Sequence, residues 1–147
     1  SGRDTAWLLG QGFDATGVDA SFGLIAEATR RHPRVSFEVN ALPKLNGLLD
    51  ETYVNVLCET VIMHLSKADA MASITRLVKL LTNGGTLYLS WRVQENKDGR
   101  DNFGRLYTAL QSDLVRNLLG DYDILLDECL VSASSGNLLH RFVVRRR

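Results

Sequence analysis

Two strand-like segments near the C-terminus are separated by a connection that limits the possible topologies more than any other feature of the sequence. The segments cover residues 122–131 and 137–145, and both are rich in aliphatic and β-branched side chains. The connection, residues 132–136, has the sequence Ser-Ala-Ser-Ser-Gly. Parallel strands need a crossover of about a dozen residues or more. We therefore predict that these two strands form an antiparallel hairpin.

Upstream of the hairpin, strand-like and helical segments alternate. Gly12, Ser21 and Ser66 fit helix-end positions, Gly12 after a helix and the two serines as N-caps. Residues 83–85, Asn-Gly-Gly, are predicted to end the helix that follows Ser66. This order predicts an α/β fold, a three-layer sandwich whose Rossmann-like, mostly parallel sheet ends in the antiparallel hairpin. We predict helices over residues 5–11, 22–31, 67–82 and 107–118, and strands over residues 13–19, 35–39, 53–58 and 86–91.

Composition and charge restrict the class of protein. The 147 residues are 45% hydrophobic, which supports one domain with one core, residues 1–147. Lys plus Arg and Asp plus Glu each number 17, so no overall positive field attracts nucleic acid or an anionic membrane. Three arginines, residues 145–147, are interpreted as a frayed basic tail.

The positions of the cysteines and histidines indicate the cellular compartment of the protein and whether it binds a metal. Cys58 and Cys129 are isolated from each other, and each lies in an apolar run, so we predict two buried free thiols. This prediction fits a reducing cytoplasm. His32 and His140 have no metal-ligand spacing to acids or cysteines, so we predict no metal site.

Asp19 is the first candidate for a binding residue. It ends the predicted strand at residues 13–19 and precedes the cap residue Ser21. At the carboxyl end of a strand in a nucleotide-binding fold, a carboxylate accepts hydrogen bonds from the two ribose hydroxyls. Alternatively, Asp19 caps the following helix, and this segment alone does not separate the two roles.

The chain resembles class I S-adenosylmethionine-dependent methyltransferases, in particular the small single-domain bacterial type. Residues 1–5 look like the second half of the family's glycine-rich first motif, and residues 17–21 look like its second-strand acid motif. Residues 40–41 are similar to the pair after the third strand. Residues 80–87 are similar to the segment before the fifth strand, with Asn83 where the family usually has proline.

The resemblance implies S-adenosylmethionine as cofactor and a role for each motif. The glycine turn would approach the methionine moiety, Asp19 would hold the ribose, and Asn40 would contact the adenine edge. Family members usually have an acid where Asn40 stands, but an amide oxygen still accepts a hydrogen bond. The cofactor-binding residues implied in this way are Gly2, Arg3, Asp19, Ala20, Asn40, Ala41, Cys58 and Glu59.

The family's first strand and the leading acid-x-Gly-x of its glycine motif have no counterpart in the sequence. In the family this strand lies between those that here end at Asp19 and Cys58. Unpaired backbone groups in a buried sheet cost about 1–3 kcal/mol each. We therefore expect upstream residues in the native protein. Otherwise the two strands should pair directly, or another chain should fill the gap.

Four further residues are candidates for contacts with a methyl acceptor. His64 could orient or deprotonate the acceptor, or it could pack at the start of the next helix. Glu59 faces the same choice between a catalytic carboxylate and cleft lining. Trp91 and Arg92 could stack on and pair with an acceptor, although Trp91 could equally be a core residue. The loop 92–102 is expected to cover the acceptor.

The resulting hypothesis is S-adenosylmethionine-dependent methyl transfer, with a small molecule as the default acceptor because the sequence has no added domain and no basic face for nucleic acid. Two alternatives stay open. One is a non-catalytic domain that keeps the fold, and the other is an NAD-binding oxidoreductase, which the hairpin and the lack of a Tyr-x-x-x-Lys pair disfavour.

Overall fold

A computed structural model of the chain describes residues 2–94 and 97–147. The chain divides into two compact units, Ser1–Asn46 and Gly47–Arg147. That residues 1–147 act as one methyltransferase-like domain stays a prediction.

The N-terminal unit contains two helices and two parallel strands. Gly12 follows the first helix with a φ of 89°, the left-handed conformation predicted for it. The hydroxyl of Ser21 accepts a hydrogen bond from the Leu24 amide at 3.3 Å, which confirms its role as N-cap. The strands pair in register, with Asp19 opposite Val39. The elements are α1 (Arg3–Gly10), β1 (Thr16–Asp19), α2 (Phe22–Arg31) and β2 (Ser36–Val39).

The C-terminal unit is built on a four-stranded sheet, and its strands lie in the order β3 (Tyr53–Glu59), β4 (Leu81–Arg92), β8 (Leu138–Arg145) and β7 (Asp123–Val131). β3 and β4 are parallel, whereas β8 is antiparallel to both β4 and β7. The α/β class and the C-terminal hairpin are therefore confirmed. The elements are β3 (Tyr53–Glu59), a 3-10 helix (Ile62–His64), α3 (Lys67–Lys79), β4 (Leu81–Arg92), β5 (Gly99–Arg100), β6 (Leu106–Tyr107), α4 (Ser112–Leu118), β7 (Asp123–Val131) and β8 (Leu138–Arg145).

The helix after Ser66 ends earlier than predicted. It stops at Lys79, and residues 83–85, predicted to terminate it, lie inside strand β4. The reason is a strand irregularity at Gly84, which has a φ of 76°. Two backbone hydrogen bonds with Arg146 hold this part of the strand. The Gly84 amide donates to the Arg146 carbonyl, and the Arg146 amide donates to the Gly85 carbonyl, each at 2.9 Å. A glycine conformation that usually ends helices here accommodates an irregular strand.

Tyr107 was also predicted to be helical, but it belongs to strand β6, and α4 begins only at Ser112. The next residue, Thr108, is tied to the segment around the 3-10 helix. Its amide donates to the Met63 carbonyl at 2.8 Å, and its hydroxyl donates to the Leu65 carbonyl at 2.6 Å. These long-range bonds prevent residues 107–110 from continuing a helix.

The C-terminal arginines are anchored, so the prediction of a frayed tail was wrong. The Arg146 guanidinium donates to the Leu81 carbonyl at 2.6 Å and pairs with Glu51. The Arg147 guanidinium pairs with Asp123 at 2.8 Å. These bonds connect the end of the chain to the sheet.

The two cysteines differ in exposure. Cys58 is buried as predicted, but Cys129 is exposed, which corrects the second half of that prediction. Cys129 lies on β7, which in the part of the chain that the structure describes is an edge strand of the sheet. Side chains alternate across a strand, so an apolar run does not bury every member.

The strands ending at Asp19 and Glu59 each have a single partner among the described strands. β1 pairs with β2, and β3 pairs with β4.

None of the helices described is both long and apolar enough to cross a membrane.

Replacing Ser66 with alanine should lower the free energy of unfolding by about 1 kcal/mol, the usual effect of losing an N-cap. The Ser66 hydroxyl accepts from the Asp69 amide at 3.1 Å and donates to the Asp69 carboxylate at 2.8 Å. Urea unfolding followed by circular dichroism measures the change. Ser112→Ala is the control, because Ser112 is the first residue of α4 and not its cap. Equal losses in the two variants would contradict the capping role.

Candidate active site

Asp19 and Asn40 meet at the carboxyl ends of the parallel strands β1 and β2. The Asn40 amide donates to the Asp19 carbonyl at 3.0 Å, which continues the pairing of the strands by one residue. Asp19, Ala20 and Ala41 are exposed, and Asn40 is half-buried. Two pairs of polar or small residues, Asp19 with Ala20 and Asn40 with Ala41, thus lie at one edge of the N-terminal unit.

The Asp19 carboxylate takes part in the turn that leads into α2. Its Oδ1 accepts a hydrogen bond from the Ser21 amide at 2.8 Å, which orders the turn into α2. The cap itself is Ser21, so Asp19 supports the helix start without replacing the cap. A carboxylate has about four lone-pair sites. One bond to Ser21 therefore leaves acceptor capacity for a ligand.

The Asn40 side chain is held in one orientation by its own loop. Its Nδ2 donates to the Asn46 carbonyl at 2.7 Å, and its Oδ1 accepts from the Ala41 amide at 3.0 Å. The oxygen keeps a second lone pair. Asn40 and Ala41 are thus linked by a hydrogen bond in the turn at the end of β2.

Gly2 lies elsewhere in the N-terminal unit. A Cβ added at Gly2 would stand 2.6 Å from the Phe37 ring and 3.0 Å from both Ala28 and His32. These contacts place Gly2 against Phe37 of β2 and the C-terminal end of α2. Arg3, the next residue, forms an exposed ion pair with Asp4 at 2.9 Å. The structure therefore groups Asp19 with Asn40 but places Gly2 against α2.

In the C-terminal unit, Cys58 and Glu59 end strand β3. Burial raises the pKa of the Cys58 thiol to about 12. It is therefore protonated near neutral pH and is a poor nucleophile. Glu59 is exposed and pairs in the strand with Ser90. It is the last residue of β3 and precedes the 3-10 helix that carries His64.

His64, Tyr107 and Arg92 form a cluster, here called the His64 cluster. His64 Nδ1 lies 2.8 Å from the Leu106 carbonyl, and the His64 and Tyr107 rings meet edge to face at 4.7 Å. The Arg92 guanidinium lies 5.2 Å from the centre of the Tyr107 ring, a cation–π distance. The structure thus unites two predicted residues, one from the 3-10 helix and one from the end of β4.

Tyr107 was missed as a candidate because helical periodicity was assigned to its segment. Its aromatic ring bridges His64 and Arg92 only because β6 folds back against β5, with Gly99 opposite Tyr107. The loop 92–102, expected to cover the acceptor, is described only in part. Residues 95–96 of this loop lie outside the residues that the structure describes. Gly99–Arg100 form β5.

Trp91 is not available to a methyl acceptor, which corrects its assignment as a substrate-binding candidate. Its side chain is 0% exposed. The indole nitrogen donates to the Leu110 carbonyl at 3.1 Å, and the ring stacks on His140 and Phe142. Trp91 is therefore a core residue, which is the alternative that the sequence left open.

Metal binding has no structural support in residues 2–94 and 97–147. No group of three His, Cys, Asp or Glu side chains is placed to hold a metal ion there. The absence of a metal site stays a prediction for the whole chain.

Comparisons with known proteins place the chain in a family. The sequence model of a methyltransferase domain family matches residues 1–85. No curated protein matches the chain significantly.

Three solved structures share the fold. One is 1,6-didemethyltoxoflavin-N1-methyltransferase from Burkholderia thailandensis with bound 1,6-didemethyltoxoflavin and S-adenosylhomocysteine; it is 21% identical, with a TM-score of 0.77 over 99% of this chain and 66% of that chain. A SAM-dependent methyltransferase from Methanosarcina mazei is 13% identical, with a TM-score of 0.74 over 89% of this chain and 81% of that chain. The N-methyltransferase NodS from Bradyrhizobium japonicum, in complex with S-adenosylhomocysteine, is 17% identical, with a TM-score of 0.64 over 89% of this chain and 65% of that chain.

These findings differ in what they establish. Structural likeness at this level of identity shows the fold, and this chain spans 66% of the Burkholderia chain. The family model matches residues 1–85 of the 147, which is more than half of the chain. The chain therefore belongs to the methyltransferase domain family of class I S-adenosylmethionine-dependent methyltransferases.

Proposed function

We propose that the protein transfers a methyl group from S-adenosylmethionine to a small-molecule acceptor. The observation that carries this proposal is the joining of Asp19 and Asn40 at the carboxyl ends of β1 and β2 by a 3.0 Å backbone bond. Ligands of open α/β sheets bind outside the carboxyl ends of the strands. Both residues lie in the segment that the family model matches.

The residues at this edge fit a nucleoside. The exposed Asp19 carboxylate offers acceptors to neighbouring ribose hydroxyls, and its bond with Ser21 holds it in place at 2.8 Å. The Asn40 oxygen offers a lone pair to an exocyclic amino group. Ala20 and Ala41 are small and exposed, so their backbones leave room for a ribose and a base. Cys58 and Glu59 remain candidates for lining the cofactor cleft, together with Gly2 and Arg3.

When bound, S-adenosylmethionine supplies a methyl group that its sulfonium already activates. The protein therefore contributes mainly by positioning the acceptor and excluding water. A group that accepts a proton from the acceptor adds to the rate when the attacking atom is protonated.

We assign the role of that proton acceptor to His64 as part of the proposal. A carbonyl oxygen only accepts hydrogen bonds, so the 2.8 Å contact with Leu106 puts the proton of neutral His64 on Nδ1. Nε2 then carries the lone pair. Edge contact with Tyr107 orients the ring. Arg92 adds a positive charge that would favour an anionic acceptor.

A small-molecule acceptor is favoured by charge. The chain has 17 basic and 17 acidic residues, so it lacks the net positive charge typical of nucleic-acid-binding domains. The similar Burkholderia protein was solved with the small molecule 1,6-didemethyltoxoflavin bound. We also place the protein in a reducing compartment such as the cytoplasm, because Cys58 and Cys129 are both free.

Calorimetric titration with S-adenosylhomocysteine and with NAD tests the proposal. Binding of S-adenosylhomocysteine alone supports it, and binding of NAD alone would favour the oxidoreductase. A non-catalytic domain predicts binding of neither. Screening metabolite pools for methyl incorporation would then identify the acceptor.

Asp19→Ala should weaken S-adenosylhomocysteine binding by about 1–3 kcal/mol, because two ribose donors would lose a charged acceptor. Calorimetry with the variant and the unmodified protein measures the change. Asp14→Ala is the control, since Asp14 is an exposed acid in the loop before β1. An unchanged affinity in Asp19→Ala would restrict Asp19 to ordering the turn at Ser21.

A further inference from the structure

Cys129, His140 and Asp127 form a hydrogen-bonded row on the antiparallel hairpin. Cys129 Sγ lies 3.2 Å from His140 Nδ1, and His140 Nε2 lies 2.7 Å from Asp127 Oδ1. Cys129 and His140 are directly opposite each other in the pairing of β7 and β8, and Asp127 is two residues from Cys129 on the same face. None of the three belongs to the His64 cluster or to the edge at Asp19.

The contacts define which atoms carry the protons. The Asp127 carboxylate accepts from His140, so neutral His140 has its proton on Nε2. Nδ1 therefore carries the lone pair and faces the Cys129 thiol. Burial raises the pKa of Asp127, but hydrogen bonds from His140 and Arg116 outweigh it and hold the pKa below its usual range. Asp127 is thus ionised near neutral pH.

The row is held rigidly on one side and open on the other. His140 is 7% exposed, and its ring stacks on Trp91 at 4.9 Å and on Phe142 at 5.0 Å. The Arg116 guanidinium donates to Asp127 Oδ2 at 2.7 Å and fixes the carboxylate. Cys129, in contrast, is exposed on β7, an edge strand among those described. A reagent in solution can therefore reach the sulfur.

We propose that Cys129 is a reactive thiol, activated by His140 and Asp127, that undergoes exchange with low-molecular-weight disulfides. The arrangement places a nucleophile, a base and an orienting carboxylate in the order that activated cysteines and serines use. His140 acts as the base, and Asp127 is a positioning residue.

The exchange step conserves atoms and electrons. His140 Nδ1 takes the proton from Cys129, and the thiolate attacks one sulfur of the disulfide. The sulfur–sulfur bond of the reagent breaks as the bond to Cys129 forms. The released thiolate takes up the proton from His140, so the products are a mixed disulfide on Cys129 and one free thiol.

The test is the rate of exchange of the folded protein with the aromatic disulfide 5,5′-dithiobis(2-nitrobenzoic acid). One thiol should react rapidly, and mass spectrometry should locate the adduct on Cys129. Cys58 is an internal control, because its thiol is buried. The rapid phase should vanish in Cys129→Ser. A rapid phase that persists in Cys129→Ser would overturn the proposal.

A matched pair of variants tests the row itself. Asp127→Asn should slow the reaction about tenfold or more near neutral pH, because an amide can hold the wrong His140 tautomer. Asp113 also binds Arg116 through its carboxylate, but that contact does not involve His140. Asp113→Asn should therefore stay within about twofold of the unmodified rate. Circular dichroism checks that both variants fold.

A pH profile separates activation from a structural effect. The charged groups facing His140 are Asp127 from β7 and, behind it, Arg116 and Asp113 from α4, whereas β4 contributes the neutral Trp91. At high pH the solvent deprotonates Cys129 without His140, so the rate of Asp127→Asn should approach that of the unmodified protein. Equal rates for Asp127→Asn and Asp113→Asn at neutral pH would contradict the activation of Cys129 by His140 and Asp127. A slower rate of Asp127→Asn that persists at high pH would also contradict it.

Discussion

Trp91→Ala is expected to lower the free energy of unfolding of the C-terminal unit by about 3–5 kcal/mol, the usual range for a buried tryptophan. The side chain is 0% exposed and stacks on Phe142 at 5.7 Å and on His140 at 4.9 Å. Its loss would leave a cavity and remove the 3.1 Å hydrogen bond to the Leu110 carbonyl. A change of this size is a large fraction of a typical domain stability of about 5–15 kcal/mol.

The chain provides a matched control in its other tryptophan. Trp7 lies on α1 and is 62% exposed, so Trp7→Ala should change the free energy of unfolding by no more than about 0.5 kcal/mol. Urea unfolding followed by far-ultraviolet circular dichroism compares the two without relying on tryptophan emission. Similar losses in both variants would contradict the placement of Trp91 in the core.

His64→Gln is expected to lower kcat/KM for methyl transfer by about 10²–10⁴-fold, the range for removing a general base. The expectation rests on the proposed function. Glutamine can still donate to the Leu106 carbonyl, which His64 contacts at 2.8 Å, but it has no basic nitrogen. Rates would be measured with the acceptor found by the metabolite screen.

Two measurements show whether this loss is chemical. Affinity for S-adenosylhomocysteine should be unchanged in His64→Gln, because the ribose and adenine contacts are proposed for Asp19 and Asn40. His32→Gln, at the end of α2, should keep its activity. A His64→Gln enzyme with normal kcat/KM would return His64 to the alternative of a packing residue before α3.

Features that depend on residues close together in the sequence could be predicted. Ser21 and Ser66 cap their helices as predicted, and α2 covers the predicted residues 22–31. The hairpin was predictable because its short connection, residues 132–136, excludes a crossover. Asp19 was recognised as a strand-end acid, and Asn40 became a candidate through the family resemblance. Cofactor binding by both residues stays a prediction.

Tertiary contacts decided the features that local patterns left open or misassigned. Trp7 and Trp91 both stand in apolar runs, yet only Trp91 is buried, because β4 lies inside the sheet with β3 and β8 on its two sides. Gly84 fits a helix end locally, but its bond with the Arg146 carbonyl makes it part of a strand. Tyr107 follows a helical pattern, but pairing with Gly99 places it in β6.

By itself, the sequence determined the starts of α2 and α3, the main alternation of strands and helices, the hairpin and the family. The tertiary structure decided which distant side chains meet. His140 follows Cys129 by eleven residues in the chain, and only the register of β7 against β8 places them opposite each other. A shift of one residue would turn these side chains to the other face of the sheet. Register depends on pairing and packing across the whole sheet, so local sequence patterns do not contain it.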